Sequence, residues 1–333
     1  MRHNNLETIY MQNRVNKIYG FFLFLFLFTP FLLPASDAVN PLAEVFPDSV
    51  KVIAIAAPGL PAAKSEPVDK TIKYLRLAGK KVKVMPNARR GEPCRSYRDF
   101  IKPELRAADI EQAWLDPEVD LILCVRGGNG TPGMVGHLNW EKLRTRPDMP
   151  VMGFSDITAL HLAMLKEKAG HPVCAPSLTK LLQVDDASRK SINLGLSGNP
   201  RADIKTEPLK PGRAEGLILA GHLRLLDTMN KTRFKPDTAG KVIFIECPDL
   251  NEKRAADTLE SLRTAGFFDR CAAVVFGRLS KCRKAERQVK TAFADKVKCP
   301  VFDKFPYSHG RQNHLLDMRR KVAVSEDGTL KFL

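Results

Sequence analysis

Residues 150–166 have the sequence PVMGFSDITALHLAMLK. The apolar run from Pro150 to Phe154 predicts a short β-strand, and the segment from Ile157 to Lys166 predicts a helix that follows almost at once. A strand that passes directly into a helix is the unit from which α/β folds with parallel sheets are built. This stretch therefore predicts an α/β fold, with Ser155 at the turn between strand and helix.

The same alternation of apolar strands and amphipathic helices continues on both sides of this stretch. Strands are predicted at 52–57, 81–85 and 121–125 and helices at 68–78 and 107–114; beyond the stretch, strands are predicted at 241–246, 272–279 and 300–306 and a helix at 255–265. The capping pattern Asp249-x-x-Glu252 supports the start of that last helix. The two series predict two α/β domains, over 46–180 and 213–333, joined by a polar linker over 181–212.

The N-terminal segment predicts export. Phe21 to Pro34 is an apolar run of 14 residues, shorter than the roughly 20 that cross a bilayer as a helix. Two cations, Arg14 and Lys17, precede it, and Ser36-Asp37-Ala38 offers small residues where a signal peptidase cleaves. We therefore expect residues 1–38 to be a signal peptide, the mature protein to be periplasmic or in the cell envelope, and membrane contact to occur only through this segment. An uncleaved anchor is the alternative.

The chain carries a formal net charge of +16, which favours anionic partners. Its basic residues are scattered and are not interleaved with aromatic residues, so the pattern of a nucleic-acid-binding groove is missing. An acidic polymer or a peptide rich in carboxylates suits an exported protein better. A solvated basic surface without a specific partner is the simpler alternative.

The seven cysteines predict neither a regular set of disulfides nor a zinc site. Their number is odd, and the sequence has no Cys-x-x-Cys pair and no His/Cys spacing typical of metal ligands. Cys124 lies inside the apolar run LILCV. We therefore expect several of these residues to be buried thiols.

Three polar residues follow apolar strands of the predicted sheets. Ser155 follows PVMGF, Glu246 follows KVIFI and His309 follows PVFDKFP after a short loop. In α/β folds, functional groups collect at the carboxyl ends of the strands. A hydroxyl, a carboxylate and an imidazole are the set that activates a serine nucleophile.

Each of these residues also has a structural interpretation. Ser155 has the position of a helix N-cap, and the second glycine of the motif G-x-S-x-G is absent, with Ile157 in its place. His309 is followed by a glycine and has the character of an exposed loop residue. Glu246 ends a wholly apolar strand, where an acid is unfavourable unless it is paired. His161 and His222 fall in helix-like runs and are expected to be packing or surface residues.

A glycine-rich segment, Arg126-Gly127-Gly128-Asn129-Gly130, follows the strand LILCV. Glycines let the backbone approach a ligand closely and point amide groups at developing negative charge, as in an oxyanion hole. A phosphate-binding loop is the rival interpretation, but neither G-x-G-x-x-G nor a P-loop ending in Lys-Ser/Thr is present. A plain turn is the third possibility.

Taken together, the motifs resemble those of the LD-carboxypeptidase family, which includes microcin-immunity peptidases. The resemblance covers about residues 50 to 325, and its most specific part is the segment GFSDITALH. The motifs occur in the family's order; they are RGGNG (126–130), GFSDITALH (153–161), IECPDLNE (245–252) and His309-x-x-x-Asn313.

The resemblance implies a serine peptidase without metal or cofactor. Ser155 would attack the carbonyl, His309 would move its proton and Glu246 would orient the imidazole, while the backbone amides of Gly128 and Asp156 would form the oxyanion hole. The expected substrate is a muropeptide or peptidoglycan stem tetrapeptide, from which a terminal D-alanine is released across an L,D bond. The implied fold is a Rossmann- or flavodoxin-like N-terminal domain with a mostly parallel sheet and a smaller C-terminal α/β domain, usually as a homodimer.

Several positions depart from the family pattern. Asn129 stands where a tyrosine is frequent and is predicted to contact substrate, while His222 stands where an asparagine is common. A His-Gly-Pro motif is shortened to His171-Pro172, and Asp317-Met318 replaces a usual turn. We expect these changes to surround the substrate pocket. They leave two alternatives open: a microcin-immunity-type peptidase that cleaves a peptidyl-nucleotide conjugate, or a muropeptide-binding protein without turnover.

Overall fold

The computed structural model describes residues 40–62, 65–89, 102–199 and 201–333, so the predicted signal peptide lies outside the described residues. Within the described part, no helix is both long enough and apolar enough to cross a membrane. The strands there are β1 Val52–Ala56, β2 Lys81–Val84, β3 Leu121–Cys124, β4 Pro150–Gly153, β5 His171–Cys174, β6 Ile204–Lys205, β7 Glu207–Lys210, β8 Ala214–His222, β9 Lys241–Cys247, β10 Ala273–Leu279, β11 Val301–Asp303, β12 Leu316–Asp317, β13 Lys321–Val324 and β14 Thr329–Phe332. The helices are α1 Ser65–Leu77, α2 Pro103–Leu115, α3 Thr131–Met134, α4 Trp140–Arg144, α5 Thr158–Glu167, α6 Asp186–Ser197, α7 Leu223–Asn230, α8 Glu252–Thr264 and α9 Glu286–Ala294.

The first sheet is parallel except at one edge. Its order is β12-β5-β4-β3-β1-β2, and only β12 runs antiparallel to its neighbour. The order 2-1-3-4-5 within it is that of flavodoxin-like folds, in which ligands bind outside the carboxyl ends of the strands. All four residues of β3 are buried, because a parallel sheet is covered on both faces and its strands are continuously apolar.

The second sheet has eight strands in the order β6-β14-β13-β8-β9-β10-β11-β7. Its centre, β8 to β11, is parallel, and antiparallel strands complete both sides. Two sheets rich in parallel pairs confirm the predicted α/β class with two domains.

The segment 181–212, predicted as a linker, contains regular structure. It forms helix α6 and the short strands β6 and β7, which extend the second sheet on its two edges. The Asp185 side chain caps α6 by accepting a hydrogen bond from the Ser188 amide at 2.9 Å, and Gly198 ends the helix with φ +70°. The polar composition of this segment thus belongs to an amphipathic helix and edge strands, not to an irregular connection.

The N-cap of helix α8 lies two residues after the position that the capping pattern predicted. Asn251, not Asp249, is the N-cap, and its side chain accepts a hydrogen bond from the Arg254 amide at 3.0 Å. Asparagine is as good an N-cap as aspartate, and it stands directly before the helix. The Asp249 carboxylate is therefore free for a different contact, described below.

Strand β12 links the two halves of the chain. It lies between the second-sheet strands β11 and β13 in sequence, yet it pairs with β5 of the first sheet. Asp317 Oδ1 on β12 lies 2.6 Å from His171 Nε2 on β5. The two residues belong to the segments His171-Pro172 and Asp317-Met318, in which the sequence departs from the expected motifs. They lie at this sheet edge and are not among the residues that line the cleft beside Ser155, so the expectation that they surround the pocket is wrong.

Six cysteines lie in the described part of the chain, and all are buried free thiols. Cys124 is completely buried in β3, which confirms its expected role as a small core residue. Cys271 Sγ and Cys299 Sγ lie 3.3 Å apart. The expectation that several cysteines are buried thiols is thus confirmed for the described residues.

His161 makes the stability of the fold depend on pH. Its ring is completely buried in α5, and burial lowers its pKa from 6.5 to about 4. Because the unfolded chain binds the proton more tightly, stability is complete above the unfolded pKa and falls as the pH decreases towards the folded one. We expect this residue to remove about 3 kcal/mol from the free energy of unfolding across that interval.

Urea denaturation at several pH values measures this effect. His161→Gln retains a donor for the Val151 carbonyl, which lies 3.0 Å from His161 Nε2, but it does not titrate. The pH dependence of its unfolding free energy should therefore be shallower than that of the parent. The exposed His137→Gln is the control, and an equal slope in all three proteins would contradict the prediction.

Candidate active site

Ser155 has the backbone conformation of a nucleophile elbow. It follows β4 with φ +66°, a left-handed value that is rare and strained for a residue with a Cβ. A short 3₁₀ turn over Ser155–Ile157 leads into α5. The Ser155 Oγ lies 2.8 Å from His309 Nε2, and no side chain caps α5, so the N-cap interpretation of Ser155 is wrong. The strained turn presents the hydroxyl at the carboxyl end of the sheet.

Glu246 comes from the opposite sheet. It lies near the end of β9, is completely buried, and its Oε2 is 2.7 Å from His309 Nδ1. Its Oε1 has no hydrogen-bond partner among the described residues. The histidine is thus the polar partner that burial of this acid requires.

His309 occupies the loop between β11 and β12. Tyr307 and Asn313 form an isolated β-bridge across this loop, and Ser308 Oγ donates to the Gln312 carbonyl at 2.8 Å. The imidazole packs on the Phe154 ring with the centroids 4.7 Å apart. The backbone bridge and the ring contact hold the imidazole between Ser155 and Glu246, so the three side chains form one hydrogen-bonded series.

The glycine-rich segment lies directly against the serine. A Cβ placed on Gly127 would be 2.7 Å from Ser155 Cβ and 3.0 Å from its Oγ, and Gly128 has φ +112°. Glycine is required here by both the close approach and the backbone conformation. Gly128 also lines the cleft at Ser155, which places its backbone beside the hydroxyl.

Two buried charged residues hold this segment in place. Arg106 on α2 donates to the carbonyls of Pro58, Gly59 and Gly130, the last two at 3.3 Å each. The side chain of Asp156 accepts a hydrogen bond from the Thr131 amide at 2.9 Å. The loops after β1 and β3 are therefore tied to each other and to the residue after Ser155. The sequence analysis did not identify Arg106. The one indication of its role is that this basic residue lies on the buried side of α2.

Asn129, predicted to contact substrate, lies elsewhere. It is exposed and is not among the residues that line the cleft. It stands between Gly128 and Gly130, which both have positive φ, at an exposed turn. Arg126 from the same segment lines the cleft instead.

A further histidine–carboxylate contact lies beside His309. His222 ends β8 and is the register partner of Glu246, so its prediction as a residue of a helix-like run is wrong. It is buried, its Nε2 lies 3.3 Å from Asp249 Oδ1, and its ring centroid lies 5.9 Å from that of His309. The hydrogen bond from His222 is the main cause that holds the pKa of Asp249 well below its usual value. The apolar run LILAGH (217–222) before His222 was the missed signal of a strand.

His222, Cys247 and Asp249 bring three possible metal-ligand atoms within 4.8 Å of one another. Burial is the main cause that raises the pKa of the Cys247 thiol. The Asp249 carboxylate is shared with Arg224, whose Nη2 lies 3.4 Å from Oδ2. The Cys247 thiol also donates to Asp249 Oδ1 at 3.2 Å, so the carboxylate has three donor neighbours in this arrangement.

The candidate residues open onto a cleft of about 490 Å³. Ser155, His309, His222 and Phe154 are part of its lining. A larger cavity of about 740 Å³ lies between residues 41–48 and α6 and contains none of these residues. We assign the site to the smaller cleft because that is where the hydroxyl, imidazole and carboxylate meet.

The lining of the cleft has a positive balance of charge. Arg126, Lys180 and Arg224 contribute cations, and Asp249 is the one carboxylate in the described lining. Burial and the neighbouring charge of Arg126 lower the pKa of Lys180. This electrostatic environment suits an anionic ligand.

The ends of strands from the two sheets bring together a serine on a strained turn, a histidine and a buried glutamate. This arrangement defines the class of α/β proteins with a site of the serine-hydrolase type. Comparison with known families narrows this class. Residues 52–173 match the LD-carboxypeptidase N-terminal domain, and residues 215–324 match the LD-carboxypeptidase C-terminal domain.

Individual relatives agree with this assignment. A Streptomyces coelicolor protein that carries a carboxypeptidase name is 31% identical over 61% of this chain and 68% of its own length. The murein tetrapeptide carboxypeptidase of Pseudomonas aeruginosa is 25% identical over 69% of this chain and 80% of its own. The chain belongs to the LD-carboxypeptidase family.

Solved structures share the fold. The muramoyltetrapeptide carboxypeptidase of Oxalobacter formigenes superposes with a TM-score of 0.74 at 21% identity, over 85% of this chain and 98% of that chain. The MccF-like protein of Bacillus anthracis gives 0.74 at 16% identity, over 85% and 96%. At these identities the likeness extends to the fold alone.

The close contact at Gly127 gives a first prediction about activity. Gly127→Ala would place a methyl group 3.0 Å from the Ser155 Oγ and displace the hydroxyl or the loop. Because small misplacements of reacting groups can lower rates by about 100-fold, we expect kcat to fall by about that factor. Steady-state kinetics measure the loss, and Gly133→Ala, where an added Cβ meets nothing within 4 Å, is the matched control. Full activity of Gly127→Ala would show that this contact has no role.

Proposed function

We propose that the protein is a serine carboxypeptidase that hydrolyses the L,D bond at the free C-terminus of a peptidoglycan stem tetrapeptide and releases D-alanine. The observation that carries the proposal is the continuous series from Ser155 Oγ to His309 Nε2, 2.8 Å, and from His309 Nδ1 to Glu246 Oε2, 2.7 Å. Family membership and the murein tetrapeptide carboxypeptidase relative support the substrate class.

The geometry suits a two-step acyl transfer. While Nδ1–H of His309 donates a hydrogen bond to the Glu246 carboxylate, the unprotonated Nε2 accepts the Ser155 proton as Oγ attacks the carbonyl carbon. The amides of Gly128 and Asp156 are proposed to stabilise the oxyanion. His309 then gives the proton to the leaving amine of D-alanine, and a water molecule, deprotonated by the same imidazole, hydrolyses the acyl-enzyme. Glu246 holds the imidazole tautomer and stabilises the imidazolium.

The composition of the cleft supports this function over its alternatives. A peptidyl-nucleotide substrate would favour a stacking platform, but in the described lining Phe154 is the one phenylalanine, tyrosine or tryptophan, and it packs on His309. A binding protein without turnover has no need for a strained serine in contact with a histidine. The first feature favours a muropeptide over a peptidyl-nucleotide substrate, and the second favours a hydrolase over a binding protein.

Export through residues 1–38 and assembly as a homodimer remain parts of the proposal. An exported enzyme would meet intact wall or released muropeptides, and the basic character of the chain, +16 with residues 1–38 included, suits such carboxylate-rich material.

Hydrolysis of a defined substrate tests the function. The mature protein is incubated with muramoyl tetrapeptide in ¹⁸O-labelled water, and the products are followed by mass spectrometry. We expect D-alanine and a muramoyl tripeptide with one ¹⁸O in its new carboxylate. Protein pre-treated with a fluorophosphonate, which labels an activated serine, should release nothing. Release that persists after complete labelling of Ser155 would contradict the mechanism, and absence of release by the untreated protein would contradict the substrate.

A further inference from the structure

Two cations of the cleft have no acidic partner within the described chain. Arg224 lies 3.4 Å from Asp249, but Arg126 forms no ion pair there, and Lys180 contacts only the Gln183 amide oxygen, at 2.9 Å. Both side chains are partly buried and line the same cleft as Ser155. Unpaired cations in a partly desolvated cleft are favourable sites for an anionic group of a ligand.

The topology places these cations on either side of the serine. Strands β3, β4 and β5 are neighbours in the first sheet, and they are followed by Arg126, Ser155 and the turn that carries Lys180, respectively. The Thr179 amide donates to the Val125 carbonyl at 3.1 Å, which fixes the Lys180 turn beside the start of the glycine-rich segment. The proposed nucleophile, Ser155, therefore follows β4, the central strand of the three. One cation follows each of the two outer strands, β3 and β5.

A buried hydroxyl lies in the same turn region. Ser177 is 1% exposed and lines the cleft, and its Oγ has no hydrogen-bond partner among the described residues. A buried hydroxyl without a partner is unfavourable unless a ligand or water forms the missing hydrogen bond with it. It is a donor that neither the fold nor the proposed acyl transfer uses.

We propose that Arg126, Lys180 and the Ser177 hydroxyl form the subsite that binds the C-terminal carboxylate of the substrate. This inference rests on the proposed function and supplies the reason for cleavage at a free C-terminus. A carboxylate accepts hydrogen bonds from two cations and a hydroxyl at once, whereas a C-terminal amide or a longer chain brings no charge to the subsite. A bound carboxylate also stabilises the protonated form of Lys180, whose pKa burial and Arg126 lower in the free protein.

A matched pair of substrates isolates this subsite. The tetrapeptide with a free C-terminal carboxylate and the same peptide as a C-terminal carboxamide are compared by kcat/KM for release of the last residue. We expect the parent to prefer the acid, and Lys180→Met and Arg126→Met each to reduce the acid-to-amide ratio by about 10- to 100-fold, as expected for a hydrogen bond to a charged group. Ser177→Ala should reduce the ratio by about 5-fold. Lys180→Arg should restore part of the preference.

Controls separate this inference from the function on which it rests. Lys190→Met removes an exposed cation of α6 outside the cleft and should leave the ratio unchanged. Unchanged melting temperatures show that the variants fold. If the parent prefers the acid and all three cleft variants retain that preference, the subsite is overturned while the function stands. If the parent releases the last residue from neither peptide, the proposed function itself fails.

Discussion

Ser155→Ala is expected to reduce kcat on the tetrapeptide by about 10⁵- to 10⁶-fold, because a triad without its nucleophile retains only binding and electrostatic stabilisation. The change removes the oxygen that lies 2.8 Å from His309 Nε2 and adds no bulk to the cleft. The KM should change little. Single-turnover mass spectrometry should also detect the acyl-enzyme in the parent and not in the variant.

Ser155→Gly separates chemistry from stability at the same position. Glycine adopts φ +66° without the steric penalty that serine experiences, so the variant should be as inactive as Ser155→Ala but more stable by about 1 kcal/mol. Urea denaturation measures the difference in unfolding free energy. Turnover above about one hundredth of the parent rate in either variant would exclude Ser155 as the nucleophile.

Glu246→Gln is expected to reduce kcat by about 10³- to 10⁴-fold while the chain remains folded. A glutamine amide at this position can donate to His309 Nδ1, which places the ring proton on Nε2, the atom that must accept the Ser155 proton. The side chain keeps its shape, and it replaces an acid that is completely buried, so loss of fold is not expected. The rate of fluorophosphonate labelling at Ser155 should fall together with kcat.

The control for this variant is Glu252→Gln. Glu252 is an exposed acid in the first turn of α8, and its neutralisation should leave both kcat and labelling unchanged. A Glu246→Gln protein with the parent labelling rate would show that the carboxylate does not orient the histidine. In that case the hydrogen bond of 2.7 Å would have only a structural role.

The sequence was most informative where local pattern and burial coincide. The predicted strand 121–125 is observed as β3 and the predicted helix 255–265 as α8, each within a few residues. Both are apolar or amphipathic over their whole length, so periodicity is sufficient to identify them. The same logic found Ser155, Glu246 and His309, because a polar residue after an apolar strand is conspicuous, and the structure brings these three together.

Features that depend on long-range pairing could not be predicted in this way. Strand β12 has two residues, and its assignment to the first sheet depends on β5, far away in sequence. The helix in 181–212 was hidden by its polar surface, because hydrophobic periodicity is weak when few residues face the core. Asp249 had a plausible local role as a cap, and only the register of β8 with β9 shows that His222 lies beside it.

The return of β12 to the first sheet has a consequence for evolution and for domain shuffling. The loop with His309 is held at one end by the second sheet and at the other by β5, through the contact of His171 with Asp317. A chimera that joins the first half of one relative to the second half of another would graft this loop onto a foreign edge strand. Recombination between such halves should therefore succeed only when the β5 and β12 sequences are inherited as a pair.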